Sequence, residues 1–469
     1  MPQRMSKIDV LIVGAGPAGM AAANVVRRFG ADVLVVDDQQ SPGGQIWRSV
    51  ETVAAAPRGA ILGEAYQEGK DLAAAFRASG ARYEPETQLW QIEPGFRAFV
   101  THGAKARMIE ASIVILATGA QERPVPFPGW TLPGVLTVGA GQVLLKSSGQ
   151  IPSDPVWVAG SGPLPLLYLV QLLRAGGQIA GYLDTTPPGR HWAALPHLPK
   201  ALRATKDLLK GLAWKATLKS HGVPIVKHVA DLEAKGSDQL EALRYRTAGG
   251  EEKTVPADIL LVHEGVVPSI HATLGLGCAV EWRGDQDCYV PILDRWGETS
   301  QPGIFVAGDG AGIAGAKAAQ LRGALAALRI VVKLGRASEQ NALDEARPLQ
   351  RRLDHELALR PFLEAMFKPR AQIFAPSDDT IVCRCEEVTA RDIRAMAQVG
   401  RPGPNQVKAF TRAGMGPCQG RQCGYTVTRI LAEAENRHAG DVGFYRVRPP
   451  LKPLTLGELA ELGQQERVS

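Results

Sequence analysis

Short, continuous apolar runs, each closed by a glycine turn or an acid, alternate along this chain with segments of helical periodicity. Such runs read as strands buried on both faces of a parallel sheet, and the periodic segments as helices that cover it. Ile8 to Val13 is the first run. Gly14-Ala15-Gly16-Pro17-Ala18-Gly19 follows at once, then a small-residue helical segment from Met20 to about Phe29, then a strand, Val33 to Val36, ending in Asp37-Asp38. The order recurs with Val156 to Ala159, Gly160-Ser161-Gly162-Pro163-Leu164-Pro165, a leucine-rich helical segment to Arg174 and a strand ending at Asp184. Two more strands are expected in Ile113 to Ala120 (IVILATGA) and in Gly303 to Asp309 (GIFVAGD). The predicted class is α/β, with two Rossmann-like dinucleotide-binding units.

The first glycine unit predicts a dinucleotide site; the alternative is a glycine turn with no ligand. Gly14 permits a tight turn, Gly16 lets the backbone approach a pyrophosphate, and Gly19 allows close helix packing. The helix that opens with Pro17 and Ala18 offers amides, from Ala18 onward, and a positive dipole end to phosphate. Asp37, twenty-three residues after Gly14, is placed to hold a ribose hydroxyl. Three further segments favour FAD. Gly43, Gly44 and Gln45, within SPGGQIW, can pass beneath an isoalloxazine; Thr118 and Gly119 end the IVILATGA run; Gly308 and Asp309 end a strand where open α/β sheets bind ligands.

The second unit departs from the pattern. Pro165 replaces the third glycine, and proline cannot supply the close packing. Gly160, Gly162 and Asp184 are the candidate contacts, and Asp184 favours NAD over NADP. A working nicotinamide site, a bound adenine nucleotide without hydride transfer, and a purely structural domain all remain open. His263, in ILLVHEGVVP, reads as a packed or capping residue and not as a base.

The chain has 469 residues and a net charge of +6, with Lys and Arg spread along it and no basic run. Nucleic-acid binding therefore has little support. The glycine spacing after the first apolar run explains that run better than a signal peptide does. No apolar stretch is long enough to span a bilayer. A cytoplasmic protein is expected, with peripheral membrane association through an electron acceptor as the exception.

Of the six cysteines, four lie in one 41-residue window: Cys383, Cys385, Cys418 and Cys423. Two close pairs of soft thiolates on separate loops suit a metal or a small iron–sulfur cluster. Zinc is the main alternative to a [2Fe–2S] cluster, although C-x-C and C-x4-C depart from the usual C-x2-C zinc spacing. A strand-like run precedes Cys383, Thr389 to Asp392 resembles a capping box, and a helix is expected from Cys423 to about Glu435. Both cysteine pairs are expected near helix starts. Residues 338–372 read as a charged helical linker. Cys278 and Cys288 are isolated and read as buried filling. No disulfide-redox pair and no general base stand out, so the catalytic residues are left unassigned.

The glycine fingerprints, ATGA and GIFVAGD resemble the two-dinucleotide-domain flavoprotein reductases of the thioredoxin and glutathione reductase class. VCRCEEV…GPCQGRQC resembles the [2Fe–2S] module of bacterioferritin-associated ferredoxin. The whole order, including LPGVLTVGAGQVLLK, resembles the larger, A-type subunits of bacterial heteromeric amine dehydrogenases. That family includes the A-type subunit of opine oxidase, the B-type subunit of hydrogen cyanide synthase and the α subunits of proline and hydroxyproline dehydrogenases. The resemblance implies a discontinuous FAD domain over 1–135 and 292–335, a second dinucleotide domain over 150–291, the linker over 338–372, a mainly helical [2Fe–2S] domain over 376–440 and a tail over 441–469. It implies amine oxidation on a D-amino-acid-oxidase-like partner carrying its own FAD, an FMN at the interface in some members, and electron exit to a quinone or a small ferredoxin-like subunit. Two other readings are a self-contained NAD(P)H-dependent FAD/[2Fe–2S] reductase and a nucleotide-binding scaffold with structural zinc.

Overall fold

A computed structural model describes residues 7–400 and 403–468, so the outermost parts of the first and last expected segments, residues 1–6 and 469, lie outside the described residues. A seven-stranded sheet runs Arg82–Glu84, Val33–Val36, Ile8–Val13, Lys105–Leu116, Arg97–His102, Thr87–Glu93, and Ile304–Val306 joins it beside Lys105–Leu116. The first apolar run pairs parallel with the second, Val10 opposite Val33. Its alternate residues go to opposite cores. Val10 and Ile12 pack with Val26 and Ile330 under the helices Pro17–Arg28 and Ala316–Lys333, and Leu11 and Val13 pack with Val306 and Leu451. The expected strand at Ile113 is the far half of a longer one. Its near half pairs antiparallel with Arg97–His102, Arg97 opposite Glu110, and its far half pairs parallel with Ile8–Val13 and Ile304–Val306.

A second, all-parallel sheet has the order Ile225–Lys227, Ile179–Asp184, Val156–Gly160, Ile259–His263, Val135–Thr137. A three-stranded antiparallel sheet, Val229–Lys235, Ala242–Thr247 and Glu252–Pro256, is appended to it. The two units meet through an antiparallel ribbon, Ala120–Glu122 against Val266–Pro268. Buried Arg123 fastens this crossing by donating to the carbonyls of Glu264, Gln286 and Asp287 at 3.1, 2.6 and 2.8 Å.

The charged linker forms two helices, Glu339–Leu357, which carries Pro348 in its interior, and Arg360–Met366. Beyond it lies a small module with its own core of Val382, Ile393, Val407, Val427, Ile430 and Leu431. Thr389 and Asp392 form the capping box that their spacing predicts, at the start of Ala390–Ala397.

Candidate functional site

The first glycine turn is built as its spacing requires. Gly14 has φ +105°, and a Cβ there would stand 2.5 Å from the Ala117 carbonyl oxygen. A Cβ on Gly19 would stand 1.9 Å from the Gly14 oxygen, so helix and turn touch as only glycine permits. At Gly16 the nearest atom to such a Cβ is the Gly44 Cα, at 3.8 Å, which leaves room for a ligand to approach the backbone. No side-chain bond caps the helix Pro17–Arg28, and helix-start amides left uncapped suit a phosphate.

Asp37 is buried at the end of its strand. Its Oδ2 accepts from the Ala15 amide, and its Oδ1 accepts from the Gln39 amide at 2.7 Å. Burial outweighs these bonds and raises its carboxyl to about 6. The Gly43 amide donates to the Ala15 carbonyl at 2.9 Å and brings the GGQIW loop onto the glycine turn. Trp47 anchors that loop: it is 1% exposed and its indole donates to Ala65 at 2.9 Å. Thr118 Oγ1 donates to the Ser269 carbonyl at 3.1 Å, and no atom lies within 4 Å of a Cβ on Gly119. A Cβ on Gly308 would stand 3.0 Å from that of Ala18. Asp309 Oδ1 accepts from the amides of Ala314 and Gly315 at 2.9 and 3.0 Å, which shapes the turn into Ala316–Lys333.

Two features of this site carry no signal along the chain. The first is Gly323, where a Cβ would stand 2.1 Å from the Ala18 carbonyl, so helix Ala316–Lys333 crosses the phosphate-loop helix at backbone contact. The second is a buried polar chain. Lys146 Nζ donates to the Gln45 carbonyl at 3.1 Å and to Gln142 Oε1 at 2.9 Å; Gln142 donates to Gln171 at 3.1 Å, and Gln171 to the Leu62 carbonyl at 2.9 Å. It begins and ends on the backbone of the first unit. Its three side chains come from the helices Val138–Ser147 and Pro163–Arg174 beside the second sheet. Burial, helped by Arg48, pulls the Lys146 ammonium down to about 7.

The second glycine turn departs from the first at its third position. Pro163 opens its helix as Pro17 does, and Pro165 removes the amide that Gly19 keeps in the first unit. At these glycines the two turns are alike: a Cβ on Gly162 would meet nothing closer than Phe367 of the linker at 3.9 Å, and one on Gly160 would stand 2.3 Å from the His263 carbonyl. Asp184 Oδ1 accepts from the Thr186 amide at 3.0 Å. His263 is buried, with Nδ1 2.7 Å from Glu122 Oε1. Nearby, Arg370 and Glu264 form an ion pair at 2.7 Å with side-chain exposures of 3% and 1%.

The thiols of the C-terminal module act on one another, with side-chain bonds between Cys383 and Cys423 and between Cys385 and Cys418. Cys383 and Cys423 are buried, Cys385 is exposed and Cys418 is intermediate. The Cys423 thiol, opposed by burial and helped by backbone amides including Gly414, pulls Cys383 down to about 6. Among the described residues, no three or more His, Cys, Asp or Glu side chains converge as metal ligands. Only Cys423 lies at a helix start, as the residue before Gly424–Ala434; Cys383 ends the strand Ile381–Cys383. The strand expected before Cys383 pairs with Val388–Thr389, and the helix Ala390–Ala397 begins five residues after Cys385.

A family profile described as pyridine nucleotide-disulphide oxidoreductase matches residues 8–326. The chain belongs to this family. A second profile, the sarcosine oxidase A3 domain, matches residues 377–462, which include all four clustered cysteines. The A-type subunit of opine oxidase from Rhizobium meliloti is 44% identical, over 98% of this chain and 88% of that protein. Hydrogen cyanide synthase subunit HcnB of Pseudomonas aeruginosa is 34% identical, over 97% of this chain and 99% of that protein. The crystal structure of L-proline dehydrogenase from P. horikoshii shares the fold with a TM-score of 0.70 at 20% identity, covering 96% of this chain and 79% of that one.

As a member of the pyridine nucleotide-disulphide oxidoreductase family the chain is an FAD-dependent oxidoreductase, and its residues fit the cofactor. The open space over Gly16 and Gly119 lies where phosphate and flavin need close backbone approach, and the uncapped helix start suits a phosphate. No helix among the described residues is long and apolar enough to cross a membrane.

Proposed function

We propose that this chain is the electron-transfer subunit of a heteromeric FAD-dependent dehydrogenase, in which an amino acid or secondary amine is oxidised on a D-amino-acid-oxidase-like partner. One contact carries the reading. Gln121 Nε2 donates to the Arg421 carbonyl at 2.8 Å. Gln121 stands two residues after Gly119, and Arg421 lies between Cys418 and Cys423. The loop beside the candidate flavin thus rests directly on the loop that carries the second cysteine pair.

When bound, an FAD exchanges electron pairs and a two-iron cluster exchanges single electrons. The chain's own residues supply position. Gly14 to Gly19, with Asp37, hold the dinucleotide; Lys146 holds the Gln45 loop; Gln121 holds the cysteine loop. Four soft thiolates from two loops suit two irons, and the C-x-C and C-x4-C spacings depart from the usual C-x2-C zinc spacing. The names of the relatives, subunits of opine oxidase and of hydrogen cyanide synthase, support a heteromer and a nitrogen-bearing substrate. Pro165, in place of the third glycine, counts against hydride delivery from a nicotinamide on the second unit, and a structural or adenine-nucleotide role is the reading adopted for it. Electrons leave to a quinone or a small ferredoxin-like subunit, and an FMN at the partner interface fits the same scheme.

The test is the purified chain, alone and with its partner. The expected result is flavin absorbance, about two irons and two sulfides per chain, no rapid flavin bleaching by NADH or NADPH, and amine-dependent dye reduction only in the complex. Rapid bleaching of the isolated chain by NADH, or a colourless zinc protein, would overturn the proposal.

A further inference from the structure

The most exposed apolar side chains of the second unit cluster in one stretch. Three helices, Arg190–Ala194, Leu198–Ala201 and Thr205–Ser220, follow the strand that ends at Asp184. Their inner side is fixed. Ala194, Ala201 and Leu218 are buried, and Arg190 Nε donates to the Ala365 carbonyl at 2.8 Å. Their outer side carries Trp192, Leu195, Leu202, Leu209 and Leu212, at 69, 50, 54, 64 and 64% exposure. The long helix carries leucines on its exposed side as well as on the side that packs inward. An amphipathic core helix does not place leucines at the outward positions of Leu209 and Leu212.

The charge of the same stretch is almost entirely positive. Lys200, Arg203, Lys206, Lys210, Lys215 and Lys219 are all exposed, and Asp207 is the one acid among residues 190–221. None of these six cations forms an ion pair among the described residues; Lys210 instead lies over the Trp214 ring, 5.6 Å from its centre. In sequence they are spaced by three to five residues, so they do not read as a basic run. The fold collects them.

We infer that this surface docks on an anionic lipid bilayer, with the leucines and Trp192 entering the headgroup boundary and the lysines and Arg203 bound to lipid phosphates. A protein partner is the competing occupant of any exposed apolar patch. The cores of protein interfaces, however, are depleted in lysine, and here unpaired lysines alternate with leucines through the whole patch. Interleaved Lys, Leu and Trp on exposed helices is the composition of interfacial membrane segments. The inference stands apart from the electron-transfer proposal, because lipid binding needs neither cofactor nor substrate.

The test is sedimentation of the full chain with vesicles. The expected result is binding to vesicles of phosphatidylglycerol in phosphatidylcholine and not to phosphatidylcholine alone, weakened by salt. A Trp192→Ser, Leu209→Ser, Leu212→Ser variant should bind at least about tenfold more weakly, with an unchanged melting temperature. A Lys206→Gln, Lys210→Gln, Lys215→Gln, Lys219→Gln variant should lose the preference for anionic lipid. Equal binding to both vesicle types, or a triple variant that sediments like its parent, would overturn the inference. So would a parent chain that ignores vesicles while the triple variant fails to assemble with its partner, because the patch would then be a protein interface.

Discussion

The ammonium of Lys146 lies 3.1 Å from the main-chain oxygen of Gln45, in the interior, with no acid among the groups that set its charge. Burial holds it near 7, against 10.5 for an ordinary lysine. Between those values the unfolded chain binds the proton and the folded chain does not, so stability contributed at this site rises with pH over about 7 to 10.5. Lys146→Met removes that slope. Urea unfolding at pH 6.5 and pH 9 should show the parent gaining on the variant at the higher pH; parallel curves would contradict this.

Two glycines of the first turn should separate folding from flavin binding. Gly19→Ala places a methyl 1.9 Å from the Gly14 oxygen and should cost about 3 kcal/mol or more. Gly16→Ala meets nothing closer than 3.8 Å, at a residue with φ −73° that alanine adopts freely. Its flavin-free melting temperature should match the parent, while FAD affinity falls about tenfold or more because the methyl fills the phosphate approach. Apoprotein calorimetry and flavin titration would measure both.

The Arg370–Glu264 pair is nearly unexposed. Arg370→Met strands a buried carboxylate and should cost about 3–5 kcal/mol in chemical denaturation. Arg370→Met with Glu264→Leu should recover most of that loss. A double variant no better than the single one would show that the carboxylate is not the source of the cost.

Gly416 stands against the first cysteine pair. A Cβ there would lie 2.2 Å from the Cys385 Cβ. Gly416→Ala should therefore displace Cys385 and lower the iron content while flavin occupancy stays full. Iron and flavin assays on one preparation would check it.

The first βαβ unit was legible because its constraints are local: apolar run, glycine spacing and terminal acid lie close together in the chain, and each has one steric role. The module's capping box at Thr389 was legible for the same reason. Contacts over long separations were not. Lys146 follows two leucines and carries no sign that it turns inward to a distant loop. Gly323 is one small residue in an alanine-rich helix, and its role appears only where that helix crosses Ala18. The partition of the four thiols joins residues from opposite ends of the module. The 190–220 stretch reads as ordinary helix until its two faces are separated.

The segment that follows the cysteine module leads back to the beginning of the chain. Gln419 and Arg421 donate to the carbonyls of Pro450 and Leu451, the Leu451 amide donates to Trp90 at 2.6 Å, and Lys452 pairs with Asp38, the neighbour of buried Asp37. The cysteine module is therefore moored at both ends, by the linker and by this tail. It is a fixed station and not a swinging arm. Whatever charge it carries crosses one constant gap, so its delivery rate should be insensitive to solvent viscosity, unlike that of a carrier that must diffuse on a tether.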